Sequence, residues 1–216
     1  PKETEMVEAK GFQNLRYAKR SDDPLIILNK GPKNTGFTIC SDCGAAVPGD
    51  DEDALQKLRK PFRHPQKYYE CKHPAERIVN TYLGHQFRTD IVVYEIALDP
   101  QLITTDPAGL WIRSAGQTLA EALVLAGGRL LDIEFSEIKS GYRIRYAYDQ
   151  QKVFVDVFMF DSLSSGAGYS SALAERTAEL FAETRRVLSE CPNGCETACH
   201  DCLMHYWNQR VHDKLD

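Results

Sequence analysis

Apolar positions along the chain fall into short runs and one long helical stripe. Leu25-Ile26-Ile27-Leu28 is a compact apolar run closed by Asn29-Lys30-Gly31-Pro32, which predicts a strand and a turn. Gly36-Phe37-Thr38-Ile39 predicts a second strand, and Ile91 to Ile96 a buried one. Thr118-Leu119-Ala120-Glu121 has the form of a capping box and predicts a helix start. From there Leu119, Ala122, Leu123, Ala126, Leu130 and Leu131 recur at helical spacing as a core face. Gly127-Gly128, unfavourable in a helix interior, points to close packing against a neighbour, most simply a strand. Ile133 to Ile138, Tyr142 to Tyr148 and Val153 to Phe160 read as strands, the last two as a hairpin. A long helix is expected over 170–189. Residues 1–23 read as an entry arm with a short helix near Asn14 to Ala18, and 47–60 and 99–109 as loops. The class is α+β: a mixed, mostly antiparallel sheet packed with two main helices. The expected divisions are 1–35 (entry arm and first strand), 36–80 (zinc knuckle and loop), 81–190 (core) and 191–216 (four-cysteine module).

Composition changes this picture little. With 216 residues, 43% hydrophobic and 26% charged, the chain can bury a real core. No apolar run approaches a membrane span and no signal peptide opens the sequence, so neither membrane nor secretion is expected. A net charge of -5 gives no global attraction to nucleic acid, so any such contact needs a local patch. The start at Pro1, without an initiator Met, reads as a fragment of something larger.

The seven cysteines carry the strongest chemistry. Their odd number in two clusters suits metal ligation in a reducing, cytoplasmic setting better than a disulfide framework. Cys191, Cys195, Cys199 and Cys202 offer four soft ligands at Cys-x3-Cys-x3-Cys-x2-Cys spacing, suited to a tetrahedral, structural Zn²⁺. Pro192, Asn193 and Gly194 allow the tight turn between the first two sulfurs. The segment after them, Leu203 to Gln209, reads as an amphipathic cover for the metal knuckle. Cys40-Ser41-Asp42-Cys43-Gly44 has the form of a second knuckle, with Cys71 a third ligand. The fourth is His64 or His73. His64 is preferred, because alternate residues on a strand point to opposite faces and Cys71-x-His73 would split. One zinc is expected at the C-terminus and a second here, as clamps at opposite ends of one sheet.

Other constellations are less specific. His85 and Asp90 at a strand entrance read as a base with its orienter or as a structural polar pair. Arg143 and Arg145, interleaved with Tyr142, Tyr146 and Tyr148, form either a nucleic-acid face or the outer face of an antiparallel sheet. Asp161 to Tyr169 joins a strand to a helix through small residues. It is an anion cradle, with Ser165 and Gly166 as phosphate contacts, or simply a tight turn; it lacks a P-loop lysine. Asp132, Glu134, Glu137 and Lys139 faintly follow the acid-x-Lys pattern of Mg²⁺-dependent nucleases, with Glu137 and Lys139 expected on one strand face. A surface charge cluster is the alternative.

The order of these pieces resembles one family: the zinc-binding domain of unknown function at the C-terminus of the mitomycin-repair helicase MrfA, found also in the helicase-associated DrmB protein of the DISARM anti-phage system. The matching residues are Cys40-x2-Cys43-Gly44, Leu83-Gly84-His85-x-Phe87-x-Thr89-Asp90, Leu119 to Leu123 and Asp161 through Gly166-Ala167-Gly168-Tyr169. To these are added Cys195-x3-Cys199-x2-Cys202-Leu203-x2-Tyr206-x-Asn208-Gln209 and His212. The match spans 36–216, and its C-terminal part is the specific one. The resemblance implies a domain attached to, or acting with, a superfamily 2 helicase in repair or phage defence. It would contact DNA and dock helicase domains in cis or a helicase subunit in trans, with the C-terminal cysteines as metal ligands. Ser165-Gly166 stands where a double glycine is common, and no Walker lysine loop or DEAH box is present.

Overall fold

The computed structural model describes residues 5–49, 51–57, 69–99, 109–147 and 152–216. The chain divides into two compact units, Pro1–Pro24 with Arg88–Asp216, and Leu25–Phe87. Among the described residues no helix is long and apolar enough to cross a membrane.

The larger unit is built on a five-stranded sheet. Its strands are β1 (Val7–Glu8), β2 (Leu15–Asn29), β6 (Leu83–Leu98), β7 (Ile138–Ala147) and β8 (Lys152–Asp161), in the order β1-β2-β6-β8-β7. β2 and β6 are long enough to continue into the smaller unit. β8 is the central strand, antiparallel to both β6 and β7, with Tyr94 opposite Val157 and Tyr142 opposite Val157 on its other side. A two-residue period sends Val153, Val155, Val157 and Met159 of β8 to one face. There they join the core with Val92 and Tyr94. Helices α2 (Leu110–Leu131), α3 (Tyr169–Glu175) and α4 (Thr177–Ser189) supply the other half of that core, led by Leu123, Leu173 and Leu180. The expected hairpin is present as β7 and β8.

Several elements differ from expectation for identifiable reasons. The entry arm is strand, not helix, because β2 starts at Leu15. α2 begins eight residues before Thr118, since Ile112 is buried and Gly116 packs against the Tyr142 ring. Ile133 to Ile138 is not a strand; α2 ends at Asp132 in the left-handed region (φ 54), and a 3-10 turn over Phe135–Glu137 leads into β7. An aspartate tolerates that conformation better than most residues. A Cβ on Gly127 would meet Leu173 of α3, Ile138 of β7 and Met159 of β8, so its close packing involves a helix as well as strands. The single helix over 170–189 breaks at Arg176, whose side chain donates to the Leu130 carbonyl at 3.1 Å. That bond satisfies one of the orphan carbonyls at the end of α2.

The smaller unit contains a three-stranded antiparallel sheet, β4 (Ala46–Pro48), β3 (Phe37–Cys40) and β5 (Ile78–Thr81), in the order β4-β3-β5. A short helix, α1 (Glu52–Lys57), falls within the stretch expected to be a loop and buries Leu55. The core here is Cys40, Ala45, Val47, Leu55 and Cys71. Two of those five are thiols, so little apolar area holds this unit together without a cross-link or metal.

Asp161 organises the turn from β8 to α3. It is 1% exposed and accepts from the backbone N–H groups of Ala167 (2.7 Å), Tyr169 (3.0 Å) and Ser170 (2.8 Å) and from the Ser170 hydroxyl (2.6 Å). Asp161→Ala leaves these donors without their acceptor. It should lower unfolding free energy by about 3 kcal/mol, read by urea denaturation, while Asp161→Asn retains part of the loss.

Candidate metal centres

β3 delivers Cys40 into a tight turn. Gly44, with φ 77, lets its backbone N–H return to the Cys40 carbonyl at 2.9 Å. Cys43 follows on that turn, and Cys71 and His73 arrive from the segment before β5. One ligand atom from each of Cys40, Cys43, Cys71 and His73 lies within 4.8 Å of the other three. Cys40 Sγ is 3.8 Å from Cys71 Sγ, and Cys43 Sγ is 3.5 Å from His73 Nδ1. His73 is fully buried, and Gln56 donates to its carbonyl at 2.7 Å.

The strand-face reasoning against His73 does not apply here. Residues 71–74 carry no strand assignment, and His73 takes φ 48, which swings its ring to the same side as Cys71. His64 lies outside the described residues. Cys40, Cys43 and Cys71 come together as expected, but on the three-stranded sheet. The two centres therefore do not share one sheet: the first lies at the three-stranded sheet, and the second follows a helix.

The second cluster follows α4 directly. Cys191, Cys195, Cys199 and Cys202 also place their sulfurs within 4.8 Å of one another. Cys191 is 3.4 Å from Cys195 and 3.7 Å from Cys199, while Cys202 is 3.7 Å from both Cys195 and Cys199. Zinc–sulfur bonds of about 2.3 Å at tetrahedral angles put sulfurs about 3.8 Å apart. A disulfide would require about 2.05 Å. All seven cysteines are free thiols. Both donor sets therefore fit a tetrahedral, thiophilic divalent ion.

Crowding pulls the thiol pKa values apart. Hydrogen bonds from the backbone of Cys195 and Asn193 draw Cys191 down to about 6. Its neighbour Cys195, hydrogen-bonded to the Cys191 sulfur and partly desolvated, is pushed up to about 12. In the first cluster burial alone would raise Cys40, but hydrogen bonds from His73 and from the Cys43 and Asp42 backbone bring it to about 7. Cys43 is raised to about 11 by burial and by the nearby Cys40 and Cys71 sulfurs. In each cluster one thiol ionises readily while a neighbour resists.

The segment after Cys202, read from its sequence as an amphipathic cover for the metal knuckle, holds on to α2 through polar groups. Asn208, 5% exposed, donates to the Leu203 carbonyl at 2.9 Å and to Glu121 at 3.2 Å. It accepts from the His205 N–H at 2.9 Å and lies 2.8 Å from His212 Nε2. The N–H of Asp216 donates to the Thr118 hydroxyl at 3.0 Å. Thr118 and Glu121, which look like a capping box, therefore lie mid-helix and anchor the C-terminal segment. The useful sequence signal was Asn208 itself, one of the residues that carry the C-terminal resemblance.

The remaining candidates do not converge. Arg143 bonds Asp156 at 2.7 Å; Arg145 bonds Asp156 at 3.3 Å, pairs with Glu95, and stacks over Phe154 at 4.5 Å. Arg16 pairs with Glu95 from β2. These three cations surround two buried carboxylates that face each other across β6 and β8. Tyr146 is exposed further along β7. At the loop, the N–H groups that form the anion cradle already hold Asp161, and a Cβ on Gly166 would press on Asp90 at 2.8 Å. Ser165 donates its N–H to the Arg88 carbonyl at 2.7 Å. Asp90 accepts from the Asp22 N–H at 3.0 Å, while His85 stacks on Phe87 with ring centroids 5.3 Å apart.

For the nuclease reading, Asp132 caps α2, Glu134 precedes the 3-10 turn and Glu137 lies within it, so Glu137 does not share a strand face with Lys139. Among the described residues, the two cysteine clusters are the groups of His, Cys, Asp and Glu that could hold a metal. The carboxylates do not assemble a nuclease-type site.

Comparison with known proteins places this geometry. The chain is 32% identical over 218 residues to the Druantia protein DruE of Escherichia coli (strain UMEA 4076-1). That match covers 95% of this chain and 12% of the relative, so the chain spans about an eighth of that protein's length. It also aligns with the crystal structure of the DUF1998 helicase MrfA bound to DNA, at TM-score 0.48 and 10% identity, over 97% of this chain and 24% of that one. Residues 119–203, which run from mid-α2 through all four C-terminal cysteines, match the family described as the MrfA Zn-binding domain. Over residues 119–203 the chain is thus similar to the MrfA zinc-binding domain family.

Proposed function

We propose that this chain is a zinc-stabilised accessory module of a DNA helicase or helicase-associated protein, cytoplasmic, serving DNA repair or anti-phage defence. It would contact DNA and dock helicase domains in cis or in trans. The observation that carries the reading is the four-sulfur cluster inside the matched segment, with separations of 3.4–3.7 Å. Four thiolates fill a tetrahedral shell and leave no position for water, so the metal's role is to fasten structure. Cys191, Cys195, Cys199 and Cys202 hold one zinc; Cys40, Cys43, Cys71 and His73 hold the second. The helicase and DNA parts rest on the resemblance of the sequence motifs to a helicase-associated domain, with residues 119–203 matching the family described as the MrfA Zn-binding domain.

Within this reading DNA contact falls to the outer face of β7. Arg143 keeps two-thirds of its side chain exposed beside Asp156, while Tyr146, exposed further along the strand, shares the opposite, helix-facing side with Tyr142 and Ile144 and falls outside that patch. Arg145 is committed more deeply to Glu95 and Asp156. Ser165 and Gly166 serve first to close the loop around Asp161 and Asp90, and any phosphate contact there would use their outer edge.

Two outcomes test this. Metal analysis of the purified protein should give about two zinc per chain. His73→Ala should lower that to about one while His64→Ala leaves it unchanged; the reverse pattern would return the fourth ligand to His64. Arg143→Ala should weaken DNA binding several-fold and flatten its salt dependence by about one unit of slope. Arg145→Ala should instead cost on the order of 2 kcal/mol of stability, since it strips a partner from two buried carboxylates. No DNA affinity in the wild type, at low salt and with zinc bound, would remove the DNA part of the reading.

A further inference from the structure

Two large aromatic side chains stand exposed beside the C-terminal metal centre. Tyr206 is 74% exposed and Trp207 67%. Their rings meet edge to face, with centroids 5.2 Å apart. Leaving such area in water forgoes hydrophobic stabilisation, so exposed rings of this size point to a use. The backbone beneath them is clamped. The Trp207 N–H donates to His205 Nδ1 at 3.2 Å, and buried Asn208 ties the turn to Leu203 and Glu121. The indole therefore projects from a fixed pedestal. Lys139 of β7 places its ammonium 5.7 Å from the Trp207 ring centroid. Both residues line a cleft of about 190 Å³ whose floor includes Ser136, Ser140 and His205.

We propose that Trp207, with Tyr206 and Lys139, forms a stacking site for an unpaired base of single-stranded DNA. This rests on the DNA part of the function proposed above and places the contact away from Arg143. An indole that is two-thirds exposed, with a mobile lysine over its ring, can offer a face to a nucleobase, and stacking of this kind accepts any base. The Lys139 ammonium supplies the adjacent positive charge that a strand's phosphate requires. In duplex DNA the base faces are covered by their neighbours, so the site selects the unpaired strand. The cleft beside the indole mixes Val124, Phe135 and Ile138 with the Ser136 and Ser140 hydroxyls, Asn208 and His205, a lining that suits the flat, polar-edged ring of a base.

The test uses the full, zinc-loaded chain. The sequence has two tryptophans, so a Trp111→Phe background makes Trp207 the reporter. Oligo(dT) should quench its fluorescence saturably, whereas a blunt hairpin duplex should not. Trp207→Ala should weaken oligo(dT) binding about ten-fold and Trp207→Phe much less. Lys139→Ala should weaken it and lower the salt slope. Zinc content reports folding; should Trp207→Ala lose metal, the quenching and the Lys139→Ala affinity decide. Oligo(dT) bound with unchanged affinity by Trp207→Ala and Lys139→Ala, without quenching, overturns the site while leaving the DNA reading intact. Binding of neither oligo(dT) nor duplex by the wild type overturns both.

Discussion

Bringing four sulfurs to within 3.4–3.7 Å of their neighbours sets the terms for the rest of this structure. Thiolates at that spacing repel, and without a counter-ion only some of them ionise. The displacement of Cys191 to about 6 and Cys195 to about 12 records that conflict. A divalent, thiophilic ion resolves it by neutralising all four at once. The same logic applies in the smaller unit, where Cys40 and Cys71 are part of the small core itself. Folding and metal binding are then one equilibrium in both places.

The C-terminal cluster also explains an otherwise odd use of polar residues. The chain after Cys202 has few buried apolar anchors, Leu203 and Leu215 being the main ones. Its position is set instead by Asn208 and the Asp216 N–H, bonded to Glu121 and Thr118 on α2, with His205 Nε2 3.4 Å from the Glu121 carboxylate. Buried polar contacts of this kind define one register more sharply than apolar packing does. That rigidity is what leaves Tyr206 and Trp207 exposed yet fixed.

A second polar system lies on the sheet face opposite the helices. Glu95 and Asp156 oppose each other across β6 and β8, an unfavourable pairing of like charges in isolation. Arg16, Arg143 and Arg145 compensate them from β2 and β7. The alternating Tyr142-Arg143-Ile144-Arg145-Tyr146 pattern therefore has a structural purpose. Its even positions Tyr142 and Ile144 pack on the helical core and its arginines cover acids. Asp161 repeats the theme at the β8–α3 turn, where the chain's own carboxylate takes the place an external anion would occupy.

Local pattern alone determined a good deal: the α+β class, the β7–β8 hairpin, the buried strand through Ile91 to Ile96, and both cysteine clusters. These features depend on residue type at short spacing, which a linear sequence displays directly. What only the tertiary structure decided depends on partners distant in sequence. The capping-box motif Thr118 to Glu121 became mid-helix because Ile112 and Gly116 found packing partners earlier in the chain. His73 reached the first cluster because a left-handed turn, invisible in the residue types, redirected it. The anion cradle was legible as chemistry, but its occupant, Asp161, emerged only when β8 and α3 were placed together. That the first centre belongs to a three-stranded sheet of its own was likewise a matter of strand pairing, which residue spacing does not encode.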